Sequence, residues 1–139
     1  MIAEDQYLEA KVMTATPWQL HLMVVDAAIR KATQAEAALE KNDFETAHFA
    51  LNTSRDCVTE LLGGLDGEQL PDVVSQLRSL FGFVYRNLVE ADMHRDTTRI
   101  ADAVRILRMH RETWLALAEK LREQNADTTN ISERKSWET

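Results

Sequence analysis

The stretch Thr14-Ala15-Thr16-Pro17-Trp18-Gln19-Leu20 carries three signals for the start of a helix. Thr16 can cap the first turn, Pro17 suits the first helical position, and Gln19 completes a T-x-x-Q capping box. A long helix is therefore predicted to begin at Pro17. Residues 18–29 are apolar over an arc far wider than the ~100° stripe of a helix that packs on one side only. Other segments must therefore cover this helix from more than one direction.

The composition excludes several classes of protein. The chain has 139 residues, 45% hydrophobic and 28% charged, which is typical of one globular domain. Glycine and proline are scarce and good helix formers dominate, so the fold class is predicted to be all-α. A net charge of −7 argues against nucleic acid and anionic membranes as partners. The sequence has one cysteine and neither a membrane-spanning run nor a secretion signal, so we expect a cytoplasmic location without membrane insertion.

The hydrophobic spacing predicts an antiparallel four-helix bundle. The first long helix runs from Pro17 to about Lys41, the second follows the cap Asp43, the third opens at Pro71, and the fourth follows residues 94–98. Short connections favour antiparallel neighbours. The predicted core seams are Phe44, Ala47, Leu51, Ser54, Val58, Leu61 and Leu65 in the second helix, Val74, Leu77, Phe81, Val84, Leu88 and Ala91 in the third, and Ile100, Ala103, Val104, Leu107, Trp114, Leu117 and Leu121 in the fourth.

Both ends of the chain are predicted to lie outside the four long helices. Residues 2–13 suit a short amphipathic helical segment that is too brief to be stable alone, so we expect it to dock on the bundle. It could cover the apolar arc of the first long helix as a displaceable lid, or it could form part of the core. Residues 123–139 are polar apart from Ile131 and Trp137, which predicts a disordered tail. The predicted domains are therefore a bundle over 1–122 and a tail over 123–139.

Catalytic and metal-binding patterns are incomplete in this sequence. A di-iron bundle needs Glu-x-x-His on two helices, and only Glu45 and His48 have that spacing. His48 also lacks the Lys and Gly expected beside a phosphorylated histidine in the pattern Ala-His-x-Leu-Lys-Gly. Cys57 has no histidine at helical spacing to lower its pKa. We therefore expect no enzymatic activity, no cofactor and no metal.

Several motifs resemble the flagellin-specific export chaperone family, also called the FliS family. The first spans residues 7–30 and reads Tyr-x4-Val-x-Thr-Ala-Thr-Pro-x2-Leu-x-Leu-Met-x2-Asp-x-Ala-Ile-Arg. The others are Leu61-x3-Leu65-Asp66, Tyr85-Arg86-x-Leu88-Val89-Glu90-Ala91 and Arg111-x2-Trp114. The chain departs from the family pattern at Val24-Val25-Asp26-Ala27-Ala28, where Leu-Tyr-Asp-Gly-Ala is usual, and at Gly63-Gly64, where Ser-Ser is common. The change to Val25 and Ala27 should reshape the local partner surface.

The resemblance implies a bundle that binds the disordered C-terminal segment of flagellin in the cytoplasm. Family members block premature polymerisation and deliver flagellin to the export gate proteins. The alternative is a regulatory or adaptor bundle that binds a folded protein, and the oligomeric state stays open between monomer and weak dimer. Phe83 and Val89 fall on the flanks of the third helix, outside its seam, so they join the predicted partner contacts. The full predicted set is Tyr7, Leu8, Val12, Met13, Leu20, Leu22, Met23, Val25, Ile29, Phe83 and Val89.

Overall fold

Five helices follow one another in the computed structural model, which describes residues 2–68 and 70–137 and the side chains of residues 3–68 and 70–126. They are α1 (Ile2–Thr14), α2 (Pro17–Glu40), α3 (Phe44–Gly63), α4 (Pro71–His94) and α5 (Thr97–Trp137). α2 packs on α3, α3 on α4, α4 on α5, and α5 back on α2. This closed order confirms the predicted all-α antiparallel four-helix bundle with a short helical segment before it.

The helix boundaries follow from local hydrogen bonds that were readable in the sequence. The Thr16 side chain accepts a hydrogen bond from the Gln19 backbone N–H at 3.1 Å, and the Gln19 side chain accepts one from the Thr16 N–H at 3.0 Å. Asp43 caps α3 by accepting from the Thr46 N–H at 3.2 Å. α4 ends at His94, and the next residue, Arg95, has a φ of 51° that turns the chain toward α5. The Thr16 and Asp43 side chains satisfy backbone donors that a helix start leaves unpaired.

α2 lies between α3 and α5, which is the two-sided cover that its wide apolar arc predicts. Among residues 18–29 only Gln19 is exposed. Ala28, Ala32 and Ala35 are completely buried, and their small side chains let α3 approach closely. The buried Ser54 hydroxyl of α3 uses this proximity to donate a hydrogen bond to the Ala28 carbonyl oxygen at 2.8 Å. The contact links a side chain of α3 to the backbone of α2.

The core contains most of the predicted seam residues. The buried members include Leu51 and Val58 of α3, Phe81 and Leu88 of α4, and Leu107 of α5. The prediction of burial is wrong for three seam residues. Phe44, Leu117 and Leu121 are 38%, 43% and 42% exposed. Phe44 is the first residue of α3. The Arg95 guanidinium lies over its ring, 3.6 Å from the ring centroid. Leu117 and Leu121 follow Trp114, which stacks on Trp18 near the start of α2. They therefore lie beyond the start of α2, which does not cover them.

The two ends of the chain differ from what the sequence predicts. Residues 2–13 do form a helix, but every described side chain from residue 3 to residue 14 is exposed, so α1 covers neither α2 nor the core. At the other end α5 continues as a helix to Trp137 instead of stopping near residue 123. Strong helix formers between residues 115 and 124 extend an already nucleated helix without tertiary support. The described side chains of residues 121–126 are all exposed, so these six residues add nothing to the core. The side chains of Ile131 and Trp137 lie outside the described residues.

Candidate partner-binding groove

An apolar groove of about 350 Å³ opens at one end of the bundle. In the antiparallel order this end collects the start of α2, the end of α3, the start of α4 and the later part of α5. Glu60 and His21 are the ionisable groups in its lining, and the other side chains are aliphatic or aromatic. The groove is lined by Pro17, Leu20, His21, Val24, Glu60, Leu61, Gly64, Leu65, Leu77 and Trp114.

Local sequence features keep this groove open. The capping box sets α2 to begin at Pro17, so the first turns of α2 present Leu20 and Val24 toward α3. α3 ends at Gly63, and Gly64, which follows it in the groove lining, has no side chain to fill the groove. Residues 64–68, which follow α3, are not helical. A helix start and a helix end meeting at this point therefore leave a hydrophobic depression.

A cluster of aromatic and histidine rings forms the wall of the groove between α2 and α5. Trp18 and Trp114 stack with ring centroids 3.9 Å apart and planes inclined by 17°. The Trp114 indole N–H donates to the Trp18 carbonyl oxygen at 3.2 Å. His21 lies against Trp114 with ring centroids 3.9 Å apart, and its Nε2 is 2.7 Å from the Nε2 of His110. Stacking and hydrogen bonding thus fix the position of Trp114 in the groove wall.

Both histidines of this wall are held in the neutral state near pH 7. Burial, with the nearby His110 as a smaller cause, lowers the pKa of His21 from 6.5 to about 4. Burial also lowers the pKa of His110, whose ring edge meets Phe81. A hydrogen bond between two Nε2 atoms needs one ring to donate and the other to accept, which a neutral pair provides. The pair therefore joins α2 to α5 without placing charge in the groove.

Polar contacts elsewhere link the helices of the bundle to one another. Arg111 donates to Asp26 at 2.6 Å across α5 and α2. At the opposite end, Asp92 accepts from Arg55 at 3.0 Å and lies 2.8 Å from His48 Nδ1. Within the described residues there is no group of three or more side chains that could hold a metal ion. The pKa of the Cys57 thiol is raised, mainly by burial, which disfavours the reactive thiolate.

The predicted partner contacts are spread over several surfaces. Leu20 lines the groove, whereas Val25 is completely buried in the core. Phe83 is 39% exposed and lines a second groove with Arg99 of α5. The remaining predicted residues divide into an exposed set and a half-buried set. Tyr7, Leu8, Val12 and Met13 are exposed on α1, and Leu22, Met23, Ile29 and Val89 are half-buried on α2 and α4.

Sequence reasoning placed several groove residues in the core and overlooked others. Leu61, Leu65, Leu77 and Trp114 are predicted seam residues, and all four line the groove. Leu61 is also part of the core, and Leu65 and Leu77 pack against it. His21 also lines the groove and is not among the predicted partner contacts. A signal was available, because these positions all fall within about two turns of the same end of the bundle once the antiparallel order is drawn.

The fold and the groove define the class of protein: an antiparallel helical bundle with an open apolar groove at one end. A family model described as "Flagellar protein FliS" matches residues 1–121. The flagellar secretion chaperone FliS of Salmonella typhimurium is 28% identical over 114 residues, which is 81% of this chain and 84% of that protein. The corresponding Bacillus subtilis protein is 26% identical over 108 residues, which is 78% of this chain and 80% of that protein.

The fold comparison agrees with the sequence matches. A solved structure described as a flagellar chaperone from bacteria superposes with a TM-score of 0.71 at 18% identity, covering 86% of this chain and 98% of that one. The chain therefore belongs to the FliS family of flagellar secretion chaperones, as its motifs predict. No described helix is long and apolar enough to cross a membrane.

Proposed function

We propose that this protein is a cytoplasmic export chaperone that binds the disordered C-terminal segment of flagellin. It would keep that segment from polymerising and deliver the subunit to the flagellar export apparatus. The observation that carries the proposal is the apolar groove beside Trp114 and Leu20 in a chain of the FliS family. The matched relatives are described as flagellar secretion chaperones, which supports an unfolded export substrate as the partner.

The chemistry of the groove suits an amphipathic helix. A filament subunit buries an apolar face against its neighbours, and before assembly that face needs another apolar surface. A helix satisfies its own backbone hydrogen bonds, so it can enter an aliphatic groove that offers few polar partners. Neutral His21 and His110 keep the wall uncharged, so an apolar side chain meets no unpaired charge there. Binding would then order a segment that is disordered on its own.

A peptide titration tests this proposal. A peptide of about 40 residues from the C-terminus of a flagellin encoded in the same genome is added to the purified protein, and helicity is followed by circular dichroism. The complex should contain more helix than the separate components because the segment folds on binding. A folded partner, as in the adaptor alternative, would bind without such a gain. Absence of saturable binding by the wild-type protein would refute the proposed function.

A matched pair of variants locates the contact. Leu20→Ser removes an aliphatic side chain from the groove and should weaken peptide binding about tenfold, the size expected for losing one apolar contact. Phe49→Ser removes an apolar side chain that is 62% exposed near the other end of α3 and should leave affinity unchanged. Equal affinities for both variants would place the binding surface elsewhere.

Delivery to the export gate needs a separate measurement. We expect the cytoplasmic part of the gate to retain the complex of the protein with the flagellin peptide more strongly than the protein alone. Co-sedimentation with and without peptide makes the comparison. Equal retention would leave the flagellin-binding role intact and remove the delivery step.

A further inference from the structure

A second groove, of about 250 Å³, lies between α4 and α5. Its lining is Phe83, Arg86, Asn87, Glu90 and Arg99, none of which lines the apolar groove. Phe83 is 39% exposed, and the side chains of Arg86 and Arg99 are exposed beside it. We name this surface the arginine groove, because it combines one aromatic ring with two guanidinium groups.

Contacts within the fold hold both guanidinium groups at the arginine groove. The side-chain amide of the buried Asn87 donates to the Phe83 carbonyl oxygen at 2.9 Å, and its oxygen accepts from Arg99 Nη1 at 3.4 Å. Arg86 Nη1 lies 3.7 Å from the place that a Cβ on Gly82 would occupy, so the glycine leaves room for this guanidinium. Because a guanidinium has five N–H donors, each group keeps most of its donors for another partner.

Among the residues that the structure describes, no carboxylate forms an ion pair with Arg86 or Arg99. The Glu90 carboxylate in the lining contacts His94 instead, with Oε2 3.1 Å from Nε2. The arginine groove is therefore locally positive in a chain whose net charge is −7. Guanidinium groups bind carboxylates through paired hydrogen bonds, so the groove suits an acidic ligand.

The negative charge of the chain is concentrated in its first half. Residues 1–68 account for the whole net charge of −7, because acidic and basic residues balance in residues 69–139. α1 contributes Glu4, Asp5 and Glu9 against the single base Lys11. None of these three carboxylates is in an ion pair with a described residue. α1 therefore complements the charge of the arginine groove.

α1 presents its carboxylates next to an apolar strip. Leu8 and Val12 are one turn apart, and Asp5 and Glu9 form a parallel strip about 60° around the helix from them. All four side chains are exposed. Asp5 and Glu9 repel each other at this spacing, so a cation beside them would stabilise α1. This face offers apolar side chains for the Phe83 ring and carboxylates for the two guanidinium groups.

The α1 of the same chain cannot bring these carboxylates to the arginine groove. Only two residues join α1 to α2, and α2 lies diagonally across the bundle from α4. Glu9 is only about 8 Å along α1 from this junction, whereas Arg86 is about 22 Å along α4 from the same end of the bundle. The ligand must therefore come from another molecule.

We propose that the free protein self-associates, with α1 of one copy docked in the arginine groove of a second copy. Asp5 and Glu9 face the two arginines, and Leu8 packs toward Phe83. Because each copy has one α1 and one groove, a two-fold dimer satisfies both contacts at once. The inference concerns the protein alone and does not depend on flagellin binding. Phe83 is also a predicted contact of the flagellin segment, so the dimer and that contact would exclude each other.

Sedimentation velocity over a range of protein concentrations tests the proposal with the full chain. The wild-type protein should shift toward a dimer as its concentration rises and should return to a monomer at high salt, which screens exposed charge pairs. The groove variant, Arg86→Glu with Arg99→Glu, should raise the dimer dissociation constant about tenfold or more. Both arginines are exposed, so the variant should unfold close to the wild-type temperature, which thermal unfolding verifies.

A matched control separates the effect of the groove from that of net charge. Arg78→Glu with Arg108→Glu also reverses one exposed arginine on α4 and one on α5, and neither residue lines the arginine groove. This control has the same net charge as the groove variant. It should nevertheless dimerise far more tightly than the groove variant does.

An exchange of charge between α1 and the groove identifies the contact. Asp5→Lys with Glu9→Lys places bases opposite the arginines and should weaken self-association as the groove variant does. A mixture of this α1 variant with the groove variant pairs lysine with glutamate or arginine with aspartate and glutamate at the two contacts of the mixed dimer. Association should therefore return in the mixture, although neither variant associates alone.

Three results would overturn the inference. A wild-type protein that stays monomeric at every concentration shows that no second copy binds. Equal dimerisation of the wild type, the groove variant and the control shows that the dimer uses another surface. A mixture of the two charge variants that stays monomeric shows that α1 and the arginine groove do not contact each other. None of these results affects the flagellin-peptide titration, so the proposed function is tested separately.

Discussion

Mild acid should weaken the bundle through the buried pair His21 and His110. Burial lowers the pKa of His21 to about 4, against 6.5 in an exposed histidine, and the pKa of His110 moves in the same direction. The unfolded chain therefore takes up a proton at a higher pH than the folded bundle does. Stability should fall as the pH drops through 6.5 and should go on falling toward pH 4.

The expected size of the effect follows from the two pKa values of His21. At pH 5 the unfolded residue is almost fully protonated while the folded residue remains mostly neutral, which corresponds to about 2 kcal/mol for a ring fully shielded from water. His21 is only half-buried, so we expect about 1 kcal/mol after solvent screening. His110 adds to this loss, because the 2.7 Å contact between the Nε2 atoms cannot persist with both rings charged.

Urea unfolding at pH 7, 6 and 5 measures the loss. The double variant His21→Gln with His110→Gln has no titrating pair, so it serves as the reference for all other groups. The free energy of unfolding of the wild-type protein should decline by at least about 1 kcal/mol more than that of the variant between pH 7 and pH 5. If the two proteins lose the same amount, the pair is not the source of acid sensitivity, and the argument from burial is refuted.

Three further measurements address the tail, the α4 flank and a buried hydroxyl. Truncation after Asn125 should leave the free energy of unfolding unchanged within error, because residues 121–126 are exposed; an earlier melt would show that the tail packs on the bundle. Phe83→Ser should weaken flagellin-peptide binding more than folding, since Phe83 is 39% exposed, whereas Phe81→Ala should cost about 3–5 kcal/mol of stability; a comparable collapse in both would contradict the assignment. Ser54→Ala should cost about 1 kcal/mol by removing the hydrogen bond to Ala28, and unchanged stability in denaturant would show that this bond contributes nothing.

The sequence predicted what depends on neighbours in the chain. The capping box at Thr16 and Gln19, the Asp43 cap and the helix starts at Pro17 and Pro71 all occur as predicted. Each depends on hydrogen bonds or backbone geometry within about four residues, so the reading needs no tertiary information. Hydrophobic periodicity likewise placed Leu51 and other seam residues in the core, because a helix repeats its face every 3.6 residues whatever lies beside it.

The same periodicity failed where the surroundings of a helix change along its length. Leu117 and Leu121 have the spacing of core residues, but they lie past the start of α2 and remain exposed. Val25 was predicted to touch a partner because the whole α2 arc is apolar, and it is completely buried between neighbouring helices. A sequence pattern gives the direction of a side chain around its own helix, whereas its burial depends on which helix stands opposite.

The sequence by itself determined the all-α class, the helix starts at Pro17, Phe44 and Pro71, and the family motifs, because these follow from short-range hydrogen bonding, spacing and residue identity. Only the tertiary structure decided which helix ends meet, and so only it brought Leu20, Leu65 and Trp114 together into one groove. It also decided that the described side chains of α1 are exposed and that α5 extends beyond the start of α2. Grooves and uncovered faces arise from the relative lengths and offsets of packed helices, and no local pattern in one helix records the offset of another.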